Sequence, residues 1–287
     1  MKFKKSLFFF ILFLILGSVC LLVAHEKYNM SIKNSFKNYE LKTITYTENE
    51  SILNLKIDTR TQGIQFLKSE NNELKIDYYQ HNRAKWTFEL NENTLTIQEK
   101  FQMIDIFFFR GYNQQPMKIY LPNLVLDQCE IKVLNGEVKS SLELQTKKFS
   151  LDIKNGRIEL SNLKAMQMNM KMTNGQIKLN HITCEDLLEI KQTNGQLILN
   201  SSIADKVKIN LTNGEINLKQ IEANHFDLDL VNGDILGTIK GNQNDYVIEC
   251  NVTNGKIVSP KNQSNESLKT FYANVTNGKI KVYFENN

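Results

Sequence analysis

The chain has 287 residues, of which 41% are hydrophobic and 23% charged, enough apolar material for a packed core and too much for a disordered chain. The formal charge is +4, and with Lys2, Lys4 and Lys5 of the N-terminal tail set aside the remainder is close to neutral. That balance excludes a global electrostatic surface for nucleic acid.

The first element in chain order is a membrane signal. Lys2, Lys4 and Lys5 precede Leu7 to Ala24, an uncharged and almost wholly apolar run of 18 residues. Its length sits at the short end of a bilayer span and is long for the core of a cleavable signal. The reading is one N-terminal transmembrane helix over residues 1–24, with the N-terminus cytoplasmic and the bulk outside the cell membrane. A cleaved signal and lipidation at Cys20 are the alternatives, disfavoured by Leu22 and by Val19 at the positions that processing reads. Polar residues 25–42 form a juxtamembrane linker.

Residues 43–126 alternate apolar and polar in strand rhythm. Leu53, Leu55 and Ile57 lead through Gln62-Gly63 to Ile64 and Phe66, and later runs carry Leu74, Ile76 and Tyr78, then Trp86, Phe88 and Leu90, then Leu95 and Ile97. These read as early rungs and an N-terminal cap of the stack that follows, with a separate small β domain as the alternative. Phe107, Phe108, Phe109 and Arg110 form either a buried strand or an exposed aromatic loop.

Over residues 127–287 the pair Asn-Gly recurs eight times, at Asn135-Gly136, Asn155-Gly156, Asn174-Gly175, Asn194-Gly195, Asn213-Gly214, Asn232-Gly233, Asn254-Gly255 and Asn277-Gly278. The spacings are 20, 19, 20, 19, 19, 22 and 23 residues, the mark of a repeat architecture. Six, four and two residues before each Asn, and three after it, stand apolar side chains such as Met168, Met170, Met172 and Ile177; of these 32 positions only Gln192 is polar. A separation of two is strand periodicity with one buried face, which helical spacing does not produce. Further apolar pairs, Leu163 with Ala165, Ile182 with Cys184 and Ile221 with Ala223, mark a third short inward segment after weaker turns at Ser161-Asn162 and Asn180-His181.

Each repeat is therefore one coil, and the expectation is an all-β, single-strand-stacked β-solenoid of about 19–23 residues per rung, its corners made by Asn-Gly because both residues tolerate positive φ. An antiparallel meander or sandwich with Asn-Gly hairpins is the alternative. At about 4.8 Å per rung the array would be roughly 35 Å long, with the Asn side chains in a ladder and Lys279, Lys281 and Glu285 of the last rung as a C-terminal cap.

The order of a basic head, one hydrophobic span, early strands, the strand Met117-Lys118-Ile119-Tyr120-Leu121-Pro122 ending in Leu-Pro, and rungs with a small turn and Gly resembles the DUF4097 β-strand-repeat proteins of bacterial cell envelopes, also labelled candidate adhesins. The resemblance covers roughly residues 43–287; many members place Ser-Gly or Thr-Gly where this chain has Asn-Gly. It implies the stacked fold and no catalytic residues.

Chemistry is sparse. No GxSxG, HExxH, P-loop or EF-hand pattern occurs, and His25, His81, His181 and His225 have no metal-ligand spacing. Cys129, Cys184 and Cys250 fall on apolar positions and read as small buried residues. Outward positions two after each Asn (Glu137, Arg157, Gln176, Gln196, Glu215, Asp234, Lys256 and Lys279) are mixed in charge and read as a solvated face. No catalytic, cofactor-binding or metal residue is assigned, and no cofactor is expected. The functional expectation is a non-enzymatic adhesin-like or envelope-scaffold module that binds an envelope protein or a cell-surface polymer, held to the membrane by residues 7–24. The alternative is an accessory in envelope-stress signalling, motivated by the span and the Phe107–Phe109 cluster.

Overall fold

The computed structural model describes residues 13, 16–18, 39–46, 52–60, 62–71, 73–81, 84–101, 115–122, 125–260 and 269–285. The expected span at 1–24 falls almost wholly outside them, as does the Phe107–Phe109 cluster. No helix among the described residues is long and apolar enough to cross a membrane.

All fourteen strands join one large sheet. The strands are β1 (Tyr39–Tyr46), β2 (Asn54–Thr59), β3 (Ile64–Lys68), β4 (Leu74–His81), β5 (Ala84–Asn91), β6 (Thr94–Phe101), β7 (Met117–Leu121), β8 (Val125–Ser140), β9 (Gln145–Ser161), β10 (Lys164–Asn180), β11 (Thr183–Asn200), β12 (Ile203–Lys240), β13 (Tyr246–Val258) and β14 (Lys269–Glu285). Strands β8 to β12 stack in parallel and in register, with Asn135 opposite Asn155, Asn155 opposite Asn174, and so on to Asn213. Parallel pairing excludes the meander, whose arms would run antiparallel. Inward residues of the middle rungs are almost fully buried, including Met168, Met170, Ile177 and Leu179 on one rung and Leu188, Ile190, Leu197 and Leu199 on the next.

The strand runs through the Asn-Gly pair without a break in its hydrogen-bonded register. Only the glycine there has positive φ; the paired Asn does not, contrary to the expectation that both would. The Asn contributes through its side chain instead. Each Nδ2 donates to the Oδ1 of its neighbour, Asn155 to Asn135, Asn174 to Asn155, Asn194 to Asn174, Asn213 to Asn194 and Asn232 to Asn213, all at 2.8 Å. The weaker turns are left-handed corners at Asn162, His181, Ser201 and Gln220, with φ from 43° to 60°. Their amides continue the stack: those of Asn162 and His181 donate to the carbonyls of Asn180 and Asn200.

At the N-terminal end β2 and β3 together make one rung on β8, with Leu55 opposite Cys129, Ile57 opposite Ile131 and Ile64 opposite Val138. A further rung of β6 and β7 lies on that one, Leu95 opposite Leu55 and Met117 opposite Ile64. Antiparallel strands then close the end: β5 on β6, β4 on β7, and β1 on β4. Tyr78, Trp86 and Phe88 cluster there, with ring centroids 4.8–6.1 Å apart.

Gln62 stands where the other rungs carry Asn, but its side chain turns inward and is fully buried. Its Oε1 accepts from the Tyr79 amide at 3.0 Å and its Nε2 donates to the Tyr79 carbonyl. The residue thus ends the Asn ladder and docks the cap strand. Gln62→Leu leaves both Tyr79 backbone groups without those partners and is expected to cost about 2–4 kcal/mol, measured by urea unfolding; a loss below the error of that measurement would remove Gln62 from the docking role.

The C-terminal end departs from sequence order. Strand β14 lies between β12 and β13, pairing in parallel with both. Asn277 accordingly donates to Asn232 at 2.7 Å, and Asn254 donates to Asn277 at 2.8 Å. Lys279, Lys281 and Glu285 therefore do not cap the stack, and the outer rung is β13. The reason lies in the second arm. β12 runs on to Lys240, and its residues Leu236–Lys240 pair with Lys281–Glu285 of β14. β13 stops at Val258, two residues before Pro260, which has no N–H to donate. Only β14 is long enough to satisfy β12, and Phe271, Ala273, Val275, Ile280 and Val282 are buried by taking that place.

Candidate functional site

On the arm that precedes each Asn-Gly corner, side chains one and three residues before the Asn point outward. One before stand Lys154, Thr173, Thr193, Thr212, Val231, Thr276 and Thr253, in spatial order. Three before stand Asp152, Lys171, Lys191, Asn210, Asp229, Asn274 and Asn251. The two files line an open groove of about 870 Å³ that crosses seven consecutive rungs. In-register stacking places equivalent groups about 4.8 Å apart, so the groove repeats hydroxyl and amide groups at a fixed interval.

The groove is graded in charge. Lys154 and Lys171 make no ion pair among the described residues, whereas Lys191 pairs with Glu189 at 2.7 Å. Towards the C-terminal end Asn274 donates to Asp229 at 3.0 Å and Asn251 to Asn274 at 3.1 Å. The lysine end is thus positive and the far end neutral to acidic. Beneath the groove, buried Gln192 breaks the apolar pattern; its Nε2 donates to the carbonyls of Gly175 at 2.9 Å and Asn194 at 3.2 Å, while its buried Oε1 has no hydrogen-bond partner among the described residues.

Seven of the eight Asn-Gly pairs (Asn155-Gly156, Asn174-Gly175, Asn194-Gly195, Asn213-Gly214, Asn232-Gly233, Asn277-Gly278 and Asn254-Gly255) run along one edge of this groove, and Asn135-Gly136 continues the ladder one rung beyond it. The file two residues after the Asn is different, because it pairs with itself. Gln176 donates to Gln196 at 2.8 Å, Gln196 to Glu215 at 3.1 Å, and Lys279 meets Asp234 at 3.0 Å. Its polar groups are committed along the stack, while the groove hydroxyls of Thr173, Thr193 and Thr212 stand exposed.

Among the described residues no three His, Cys, Asp or Glu side chains stand close enough to hold a metal ion. His181 occupies a left-handed corner, and the His225 ring lies 3.1 Å from the Thr270 hydroxyl. Burial pushes the Cys129 thiol up to about 12 and those of Cys184 and Cys250 to about 11, so all three are neutral thiols at physiological pH rather than nucleophilic thiolates.

The family described as Toastrack DUF4097 matches residues 52–286. The chain belongs to the DUF4097 family. The match takes in β2 to β14, and so both the antiparallel N-terminal closure and the Asn-Gly stack. Solved structures similar to this DUF4097 chain include a candidate adhesin from Bacteroides fragilis NCTC 9343, at 15% identity over 85% of this chain and 97% of that one, with a TM-score of 0.47. A candidate lipid-binding protein from Parabacteroides distasonis ATCC 8503 is 13% identical over 86% and 97%, with a TM-score of 0.49. A candidate adhesin from the same organism is 10% identical over 86% and 98%, with a TM-score of 0.43. No curated protein matches the chain.

Proposed function

We propose that this DUF4097 chain is a non-enzymatic, adhesin-like β-solenoid that binds an extended surface polymer or an envelope protein in the groove beside the Asn ladder. The observation that carries the reading is the groove itself, with exposed Thr173, Thr193 and Thr212, and with Lys154 and Lys171 that make no ion pair among the described residues, at rung intervals. A rigid face with a fixed repeat suits a ligand that is itself extended and repetitive, since many weak polar contacts act in parallel. Residues 7–24 hold the module at the outer side of the cell membrane, a placement supported by the basic-then-apolar order of the N-terminus.

Crosslinking capture from intact cells tests the reading, with the full-length protein compared with its Thr193→Arg/Thr212→Arg variant. Both positions are exposed, so the arginines fill the groove without disturbing the core. The expected result is a surface polymer or envelope protein captured by the wild type and reduced about tenfold or more in the variant, the loss of roughly 1.4 kcal/mol of contacts. Equal capture by both would remove the groove as the binding face.

A further inference from the structure

The two ends of the stack are finished differently. The N-terminal end is closed by β5, β4 and β1, and the ladder there is terminated by Gln62. At the other end β13 pairs only with β14, and its second edge carries unpaired backbone groups among the described residues. The core beneath that edge is uncovered. Ile257 is 42% exposed, whereas Ile235 and Ile280, at the same place on the two rungs inside it, are 0% exposed. Ile248, Cys250, Val252 and Phe284 are likewise only partly buried. The strand has neither a proline nor an inward charge to blunt its edge; its only charged residues are Glu249 and Lys256, both outward.

We propose that this end pairs with the same end of a second copy of the chain, β13 antiparallel to β13 about a two-fold axis. The register follows from the corner. Because Asn254-Gly255 reverses the inward-outward alternation, Val252 on one arm and Ile257 on the other both face the core. An antiparallel copy laid corner on corner sets Asn254 opposite Gly255 of the second copy and Val252 opposite Ile257 of the second copy. Inward positions then meet inward positions on both arms, and no like charges oppose one another, since Lys256 meets Thr253 of the second copy. Head-to-tail stacking offers no such match, because the far pole presents separate antiparallel strands without an Asn-Gly corner. The interface is thus isologous and closed at two copies, and its strand addition satisfies the open edge.

The pairing has a consequence that rests on the adhesin-like reading. Eleven levels of strand run from β5 to β13 inclusive, a length of about 50 Å. Two copies joined end to end put their N-terminal poles about 100 Å apart, on opposite sides of the pair. Anchored copies joined in this way bridge two facing membranes.

The test is the mass of the full-length protein in mild detergent by sedimentation across a concentration series, for wild type and Ile257→Lys. The wild type is expected to dimerise. The variant is expected to dissociate at least about a hundredfold more readily, because two buried isoleucines are replaced by two buried charges per dimer. At dilutions where both are monomeric its thermal unfolding should match that of the wild type, as Ile257 is 42% exposed in the single chain. Asn254→Cys provides a second readout, a covalent dimer on oxidation through the corner-on-corner contact. A wild type monomeric at every concentration leaves the edge to some other chain and overturns the proposal, as does a dimer indifferent to Ile257→Lys. Beads carrying the protein by its N-terminal end separate this from the adhesive reading: a solution dimer whose beads do not cluster keeps the interface and removes its use in adhesion.

Discussion

Gly214→Ala is expected to abolish cooperative folding. At this corner φ is +141°, a conformation that side chains other than glycine's rarely adopt. A Cβ there would lie 1.7 Å from the Gly195 carbonyl oxygen and 2.8 Å from its carbon. The obstacle is backbone, and Gly195 is itself held against Gly175 in the same way, so the strain has nowhere to go. Strain and clash together place the cost above about 4 kcal/mol, in the exceptional class of single substitutions. The neighbouring Asn213→Ala is the control. It removes one hydrogen bond to Asn194 and one from Asn232, both exposed, and is expected to cost about 1–2 kcal/mol. Urea unfolding distinguishes the two; a Gly214→Ala protein within about 1 kcal/mol of wild type would contradict the close approach of the glycine backbones.

Removing β14 is expected to do more than shorten the rod. A chain ending at residue 268 loses Phe271, Val275, Ile280 and Val282, all fully buried. At about 1.5–3 kcal/mol for each large side chain the upper bound is about 6–12 kcal/mol, comparable to the whole stability of a domain. It also leaves Phe226 without Phe271, 5.3 Å away by ring centroid. Moving β13 onto β12 does not repair the loss, because β13 ends at Val258 and Gly237–Lys240 stay unpaired. The truncated protein should lose its cooperative melt and become protease-sensitive beyond residue 200. In a stack built in sequence order the same truncation would remove one outer rung and leave the rest intact, so a melt within a few degrees of full length would contradict the intercalation.

The middle of the stack was legible because every local signal agreed. Inward positions at intervals of two, such as Met168, Met170 and Met172, fix strand and face, and the glycine spacing fixes the rung. The ends were not legible in the same way. Gln62-Gly63 reads as a turn, but nothing in the sequence tells that the longer Gln side chain folds inward to Tyr79 rather than outward into the ladder. The order of the last two rungs escapes an apolar count, since Ile248, Cys250 and Val252 satisfy the same pattern as Phe271, Ala273 and Val275. The signal that bears on it is Pro260, which shortens one second arm, together with the spacings of 22 and 23 residues that leave room for the chain to pass outward and return.

The groove was missed for a related reason. The residues two after each Asn form a mixed-charge file in the sequence, and in the structure that file pairs with itself through Gln176, Gln196 and Glu215. The free file lies one before the Asn. Its signal was present, as Thr-Asn-Gly at five of the eight corners, Thr173, Thr193, Thr212, Thr253 and Thr276. A threonine next to a corner is also what strand propensity alone would place there, and only the stack shows that these hydroxyls share one groove with Lys154 and Lys171.

The open end at β13 follows from one arrangement, in which residues 269–285 lie inside residues 246–258. Amide hydrogen exchange of the Ile257→Lys variant, in which no second copy protects the β13 edge, reads that order directly. Amides of residues 271–281, paired on both sides, are expected to exchange much more slowly than those of residues 247–257 at the edge. The contrary result, with 271–281 exchanging first as the outermost rung and 247–257 protected beneath it, would restore sequence order and remove both the intercalated strand and the interface proposed at β13.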